Sequence, residues 1–272
     1  MRAFPPRSTN GTSLPRSGCT SVIKADVSSR DYNAEYKDGA RKYAYEFDAV
    51  LRHYMMRALD PFLPRGKALE LGCYTGDVTE LLAARYEDLT VVEASEELVH
   101  AARARLGRRA TFRLGTFEEI DLTDRYDAVF LMHTLEHLDD PVLVLGRVRA
   151  WLADRGRLFV VVPNANAPSR QIAVQTGLIS SNDAVTDAER AHGHRRTYRL
   201  DTLERDVRAA GLQVVHSGGV FFKPLANYQF DKLLGGDVIS DGYLEGCYRL
   251  GLHYPDLCAS VYAVCERVVP KA

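Results

Sequence analysis

The sequence lacks a C-x-x-C pair, a signal-peptide core and any apolar run of membrane-spanning length. Its five cysteines are odd in number and scattered, which argues against a disulfide framework and for reduced, buried thiols. The N-terminal stretch contains arginines but no apolar segment of the kind that signal peptides carry. We therefore expect a cytoplasmic protein that does not associate with membranes.

Neither sign of charge dominates, because 35 Lys and Arg residues face 36 Asp and Glu residues for a net charge of -1. Such a chain has no overall field that would attract a polyanion, so we expect no nucleic-acid partner. A local basic cluster is present, formed by His192, His194, Arg195, Arg196 and Arg199. The length of 272 residues is enough for one large α/β domain with insertions.

The chain divides into three parts by composition and periodicity. Residues 1–27 are rich in Pro, Ser, Thr, Gly and Arg without an apolar period, which predicts a disordered tail. Residues 28–62 carry tyrosines and aliphatic residues at helical spacing, which predicts a helical lid or, alternatively, helices packed on the domain. Residues 63–272 are predicted to form the main domain.

Short apolar runs alternate with helical patterns through the main domain. Strands are predicted at 67–71, 89–92, 111–114, 126–131, 157–162, 212–216 and 257–266. This alternation implies a parallel sheet with helices on both faces, and such sheets bind ligands at the carboxyl ends of their strands. Two insertions, about 165–198 and 218–256, are predicted to form a small cap.

The most informative motif is a strand that ends in a glycine turn, Glu70-Leu71-Gly72-Cys73-Tyr74-Thr75-Gly76. Gly72 and Gly76 allow a tight turn and leave room for a ligand near the main chain. The turn does not fit the G-x-G-x-x-G pattern of dinucleotide sites, because Tyr74 occupies the middle position. It also lacks the Lys-Ser/Thr pair of a P-loop.

Glu70, Gly72 and Gly76 match the acid-x-Gly-x-Gly-x-Gly motif of the class I S-adenosylmethionine-dependent methyltransferases, and about residues 65–165 resemble that family in detail. The resemblance is to the group of ubiquinone and natural-product O-methyltransferases. It implies a Rossmann-like sheet of seven mostly parallel strands and S-adenosyl-L-methionine as the cofactor. Tyr74 replaces the middle glycine of the family motif.

The resemblance also implies where the cofactor binds. The implied contacts are Glu70, Gly72, Cys73, Tyr74, Gly76, Glu93, Ala94, Thr116, Phe117, Met132 and His133. Glu93 would bind the ribose, because a carboxylate accepts two hydrogen bonds from a vicinal diol. Alternatively, Glu93 is a negative charge at the N-terminus of the helix that follows it, and Phe117 packs in the core.

The stretch His133-Thr134-Leu135-Glu136-His137 resembles the Glu-His signature of the ubiquinone-type enzymes. Methyl transfer to a hydroxyl or amine needs in-line alignment and the loss of one proton. Imidazole accepts a proton near neutral pH, so His133 is the predicted general base. Glu136 and His137 are further catalytic candidates, with capping of a helix start as the alternative.

We predict no metal, with one alternative. In RNA 3'-end 2'-O-methyltransferases and some quinone O-methyltransferases, an E-x-x-E-H motif and a distant histidine bind a divalent cation. The corresponding set in this sequence is His133, Glu136, His137 and His194, in which His133 replaces the first Glu.

Contacts with the acceptor are predicted for Tyr36, Asn164, His192, His194 and Arg195. The aromatic residues Phe221, Phe222, Tyr228, Phe230, Tyr243, Tyr248 and Tyr254 either line an apolar acceptor pocket or form the core of the cap.

The expected function is methylation of a hydroxyl on a small acceptor of the natural-product or sugar type, by a monomer or homodimer. Three alternatives are open. They are N-methylation of a small amine, metal-assisted 2'-O-methylation of RNA 3' ends, and cofactor binding without catalysis.

Overall fold

The computed structural model describes residues 30–33 and 45–268. Its contacts divide the chain after Arg30, and the strands and helices given below lie in the unit Asp31–Ala272. The predicted tail and the predicted acceptor contact Tyr36 lie outside the described residues.

The described chain contains one sheet of seven strands in the order β3-β2-β1-β4-β5-β7-β6. The strands are β1 (Lys67–Leu71), β2 (Asp88–Glu93), β3 (Thr111–Leu114), β4 (Tyr126–Met132), β5 (Leu152–Pro163), β6 (Leu212–Phe222) and β7 (Cys258–Arg267). Strands β1 to β5 pair in parallel, whereas β7 is antiparallel to both β5 and β6. The prediction of seven mostly parallel strands is therefore confirmed.

Helices precede, connect and follow the strands. They are α1 (Glu46–Leu59), α2 (Asp77–Ala83), α3 (Glu96–Leu106), α4 (Pro141–Trp151), α5 (Pro168–Gln175), α6 (Asp187–Ala191), α7 (Leu200–Ala209), α8 (Asn227–Leu233) and α9 (Asp241–His253). Within the described residues, none of these helices has the length and apolarity that a membrane crossing requires.

Local sequence explains where the site-forming helices begin. Ser95 caps α3, since its hydroxyl accepts a hydrogen bond from the Leu98 amide at 3.3 Å. Asp140 caps α4 in the same way at the Leu143 amide, at 2.9 Å, and Pro141 occupies the first helical position. α3 therefore begins directly after β2, whereas residues 133–140, which include the Glu-His stretch, separate β4 from α4.

Strand β6 is the main departure from the sequence prediction. It continues to Phe222, so residues 218–222 belong to the sheet and not to the cap. A register shift between Val214 and His216 breaks the two-residue period, which hides the continuation. The strand also contains Gly219, where a Cβ atom would lie 2.4 Å from the Pro255 carbonyl oxygen, so only glycine fits.

Three aromatic rings join α1, α8 and β6 in the core. Phe47, Phe221 and Phe230 are fully buried, and the rings of Phe47 and Phe230 stack with centroids 4.0 Å apart. Tyr54 of α1 stacks on Tyr248 at 4.8 Å. These aromatic residues therefore belong to the core, and α1 packs on the domain through Phe47 and Tyr54.

Candidate active site

Three residues other than glycine have left-handed backbone conformations in the described chain, and each lies at the carboxyl edge of the sheet. They are Tyr74 after β1 (φ 47), His133 after β4 (φ 56) and Phe221 near the end of β6 (φ 66). Such conformations cost about 1–3 kcal/mol each and concentrate at functional sites. The strain therefore marks the same edge as the sequence motifs.

The glycine turn between β1 and α2 has little room for larger residues. Gly72 has φ 81, and a Cβ atom there would lie 3.0 Å from the Thr134 side chain. Gly76 has φ 89, and a Cβ atom there would lie 2.7 Å from Leu106. Tyr74 retains the positive φ that glycine adopts readily. The tyrosine that replaces the middle glycine of the family motif therefore adds a side chain and keeps the left-handed backbone of the turn.

Glu93 closes β2 and holds the glycine turn. One carboxylate oxygen accepts hydrogen bonds from the amides of Ala94 (2.8 Å) and Ser95 (3.0 Å), and the other accepts one from the Cys73 amide (3.1 Å). Burial raises the pKa of Glu93, and these amide donors oppose the rise. A carboxylate has about four acceptor positions, so capacity remains for a ligand hydroxyl.

Glu70 is fully buried, and neither of its carboxylate oxygens has a hydrogen-bond partner among the described residues. Burial raises the pKa of Glu70 to about 8, and the charge of Glu93 adds to the rise. Thr79 opposes it in part, although its hydroxyl does not reach hydrogen-bond geometry. A buried carboxyl without a partner suits a ligand that brings a donor or a positive charge.

The remaining predicted cofactor contacts occupy the same edge. The hydroxyl of Thr116, just after β3, is buried without a hydrogen-bond partner in the described chain. Phe117 is buried in the core, and its ring lies 3.6 Å from the position of a Cβ atom on Gly72. Met132 is buried at the end of β4. Phe117 therefore packs as core at the base of the turn.

His133 leaves β4 and meets the final strand. Its Nε2 atom lies 2.8 Å from the Ser260 hydroxyl. Burial, followed by the neighbouring His194, Arg52 and Lys223, lowers the pKa of His133 to about 3. The imidazole is thus neutral at physiological pH but binds a proton weakly. This disfavours the predicted general base and favours a hydrogen-bonding role.

Glu136, His137 and His194 form a compact cluster beyond the end of β4. Their ligand atoms all lie within 4.8 Å of one another, and Nε2 of His137 is 3.9 Å from Oε1 of Glu136. Glu136 is 1% exposed, and neither carboxylate oxygen has a hydrogen-bond partner among the described residues. Burial raises the pKa of Glu136 to about 8.

The donor set of this cluster fits a divalent transition metal. Two imidazoles and one carboxylate are typical ligands of zinc, iron and manganese. His133 is outside the cluster, so the set of four suggested by the resemblance reduces to three residues.

Other residues predicted to contact the acceptor stabilise the insertion. The Arg195 amide donates to the Glu136 carbonyl at 2.9 Å, and its guanidinium pairs with Asp139 at 3.2 Å. Asn164 donates from its side chain to the carbonyls of Asp256 (2.8 Å) and Cys258 (3.0 Å). Both side chains therefore support the loops around Glu136 and β7.

The sequence reasoning missed Arg52, Lys223 and Ser260. Ser260 lies inside a nearly continuous apolar strand, so no alternation of polar and apolar residues indicates which way its side chain points. Arg52 has the spacing of a surface residue on an amphipathic helix. Lys223 follows β6 directly, as His133 follows β4. Had β6 been predicted to end at Phe222, Lys223 would have been recognised as a residue at a strand exit.

Comparison with known proteins agrees with this geometry. A family model described as a methyltransferase domain matches residues 43–217. A ubiquinone biosynthesis O-methyltransferase of Sinorhizobium fredii is 27% identical over 191 residues, covering 68% of this chain and 76% of its own. One of the same name from Aeromonas salmonicida is 30% identical over 166 residues, covering 59% and 68%.

Solved structures show the same fold. A possible histamine N-methyltransferase from Thermotoga maritima, described as S-adenosylmethionine-dependent, has a TM-score of 0.60 at 20% identity and covers 87% of this chain and 99% of its own. The plantazolicin methyltransferase BamL, solved with a triazolic desmethyl analogue and S-adenosylhomocysteine, has a TM-score of 0.54 at 15% identity and covers 85% and 88%.

Proposed function

The chain belongs to the class I S-adenosylmethionine-dependent methyltransferases, and we propose that it methylates a hydroxyl oxygen of a small-molecule acceptor. S-adenosyl-L-methionine is its cofactor. The orphaned carboxyl of Glu70 and the carboxylate of Glu93 fit this ligand, because it carries an ammonium, a sulfonium and a ribose diol. When bound, the cofactor supplies an electrophilic methyl group.

The proposal that oxygen and not nitrogen is methylated rests on the side chains around the His133–Ser260 pair. This pair can orient a hydroxyl, since both side chains form hydrogen bonds. Arg52 and Lys223 lie near enough to lower the pKa of His133, and their charges would repel a protonated amine. The names of the O-methyltransferase relatives support the same choice.

An acceptor panel of matched phenols and anilines tests this proposal, with homocysteine release after hydrolase treatment as the readout. We expect turnover of hydroxyl compounds and little turnover of their amine counterparts. Preference for the amines would establish N-methylation, and release that does not depend on an added acceptor would indicate only cofactor hydrolysis. Either result would contradict the proposal.

Replacing His133 tests its role as a positioning residue. His133→Asn tolerates the left-handed backbone, and we expect kcat to fall about tenfold to hundredfold because the acceptor is misaligned. Affinity for S-adenosylhomocysteine and the shape of the pH–rate profile should not change. His100→Ala, on the exposed face of α3, is the control. Loss of an inflection in the pH profile of the variant would instead indicate proton transfer to His133.

A second arrangement is favoured by the cluster of Glu136, His137 and His194, which we propose binds one divalent cation. The cation would supply a positive charge at the acceptor end of the site. We expect wild type to retain about one equivalent of metal after gel filtration, measured by elemental analysis, and His194→Ala to retain little. His192→Ala serves as the control on the same insertion. Equal metal content in all three proteins after chelation and reloading would remove the metal site.

A further inference from the structure

Lys223 follows β6, the strand that pairs with the segment carrying Ser260, and its charge acts on His133. β6 and β7 are antiparallel, and their register sets Val220 opposite Ser260. The Ser260 hydroxyl is 2.8 Å from Nε2 of His133. Lys223 follows three residues after Val220, and its carbonyl accepts a hydrogen bond from the Ser169 amide at 3.2 Å. The lysine therefore leaves the sheet at the acceptor end of the site.

The charge of Lys223 is poorly compensated. Its ammonium donates to the amide oxygen of Asn227 at 2.8 Å and forms no salt bridge with a carboxylate among the described residues. Asn227 in turn donates to Asp48 at 2.8 Å. Burial lowers the pKa of Lys223 to about 8; Asp48 and Glu189 oppose this, and Arg170 adds to it. Asp48 is itself buried, and burial raises its pKa, which weakens it as a counter-charge.

Arg52 adds a second positive charge from another element, and its charge also acts on His133. It projects from α1, its side chain is 18% exposed, and it pairs with Asp77 at 3.4 Å. Asp77 also pairs with Arg105, so one carboxylate serves two guanidinium groups. Arg52 therefore retains part of its positive potential toward His133.

We propose that Lys223 and Arg52 form an anion-binding site beside His133, where the acceptor binds with its reacting oxygen as an oxyanion. This rests on the proposed O-methylation and narrows the acceptor to compounds with an acidic hydroxyl: phenols, enols or carboxylic acids. The charges that disfavour an imidazolium at this position favour an ionised oxygen there, because both effects arise from the same potential.

The chemistry balances without a strong base. The acceptor hydroxyl loses its proton to solvent on binding, and His133 and Ser260 orient the resulting oxyanion. The oxygen attacks the methyl carbon of the sulfonium, an O–C bond forms, and the S–C bond breaks with its electron pair remaining on sulfur. One negative and one positive charge thereby become a neutral ether or ester and a neutral thioether. The weakly basic His133 is consistent with this assignment.

Binding of 4-nitrophenol tests the site without requiring turnover, because its ionised form absorbs at longer wavelength than the neutral form. The titration uses the full chain with S-adenosylhomocysteine and a chelator, so that a metal cannot provide the charge. We expect the pKa of the bound phenol to lie at least about one unit below that of the free phenol, which corresponds to tighter binding of the phenolate by tenfold or more. Lys223→Met and Arg52→Met should each reduce this shift.

Lys223→Arg keeps the charge and should keep most of the shift, and Lys232→Met is a matched control at an exposed position on α8. Thermal unfolding of each variant shows whether it is folded, and Arg52→Met tests the site independently of Lys223. An unshifted phenol, equal shifts in wild type and both methionine variants, or no binding by wild type would overturn the proposal. The acceptor panel measures methyl transfer to hydroxyl compounds separately. A negative result in the phenol titration therefore leaves the proposed O-methylation standing.

Discussion

Glu93→Ala is expected to weaken the affinity for S-adenosylmethionine about hundredfold, because two hydrogen bonds from the ribose hydroxyls to a carboxylate are worth about 3 kcal/mol together. The substitution also removes the acceptor of the Cys73, Ala94 and Ser95 amides, so the glycine turn loses its connection to β2. Both effects act on the same ligand. Isothermal titration calorimetry with S-adenosylhomocysteine measures the change.

A matched pair of variants separates the two effects. Glu93→Gln retains an acceptor oxygen for the turn but binds a diol less strongly, so we expect a loss smaller than that of Glu93→Ala. Glu96→Ala removes an exposed acid in the first turn of α3, the helix that follows Glu93, and should leave the affinity for S-adenosylhomocysteine unchanged. An affinity for Glu93→Ala within threefold of wild type would remove the ribose assignment and leave Glu93 as a structural acceptor.

Phe230→Ala is expected to lower the free energy of unfolding by about 3–5 kcal/mol, the cost of deleting a buried aromatic side chain. The ring is fully buried and stacks on Phe47 at 4.0 Å. The next residue, Asp231, accepts hydrogen bonds from the amides of Glu46 and Phe47 at the start of α1. The cavity would therefore also loosen the helix that carries Arg52. Urea denaturation gives the difference.

Tyr228→Ala is the control for this substitution, since Tyr228 lies two residues earlier on α8 and is 51% exposed. We expect it to change the free energy of unfolding by less than about 1 kcal/mol. A loss of stability in Phe230→Ala no larger than in the control would mean that α1 and α8 do not share the core. The aromatic residues would then be available to line an acceptor pocket.

The sequence predicted most accurately those strand bounds that depend on local patterns of apolar, charged and turn residues. β1 and β3 have their predicted bounds, because each is a short apolar run limited by charged residues and turns. Glu93 and His133 lie at the exits of β2 and β4, whose predicted ends are within one residue of the observed ends. The class I resemblance supplied the seven-stranded, mostly parallel sheet and the cofactor, which no local pattern contains.

What the sequence did not predict depends on contacts between distant segments. Glu136 meets His194 because the insertion folds back, with the Arg196 guanidinium donating to the Leu138 and Asp139 carbonyls at 3.2 and 2.8 Å. No spacing along the chain encodes that approach. The weak basicity of His133 is likewise a result of burial and of charges from three other elements, so residue type alone suggested a stronger base.

The most direct test of the account is the fate of a labelled methyl group. S-[methyl-¹³C]adenosylmethionine is incubated with the chain and a mixture of phenols and anilines, and the carbon shift of the product identifies the atom that carries the label. We predict a ¹³C resonance typical of a methyl bonded to oxygen, formed on the more acidic phenols first. A methyl resonance typical of nitrogen, or label recovered only as methanol, would contradict it.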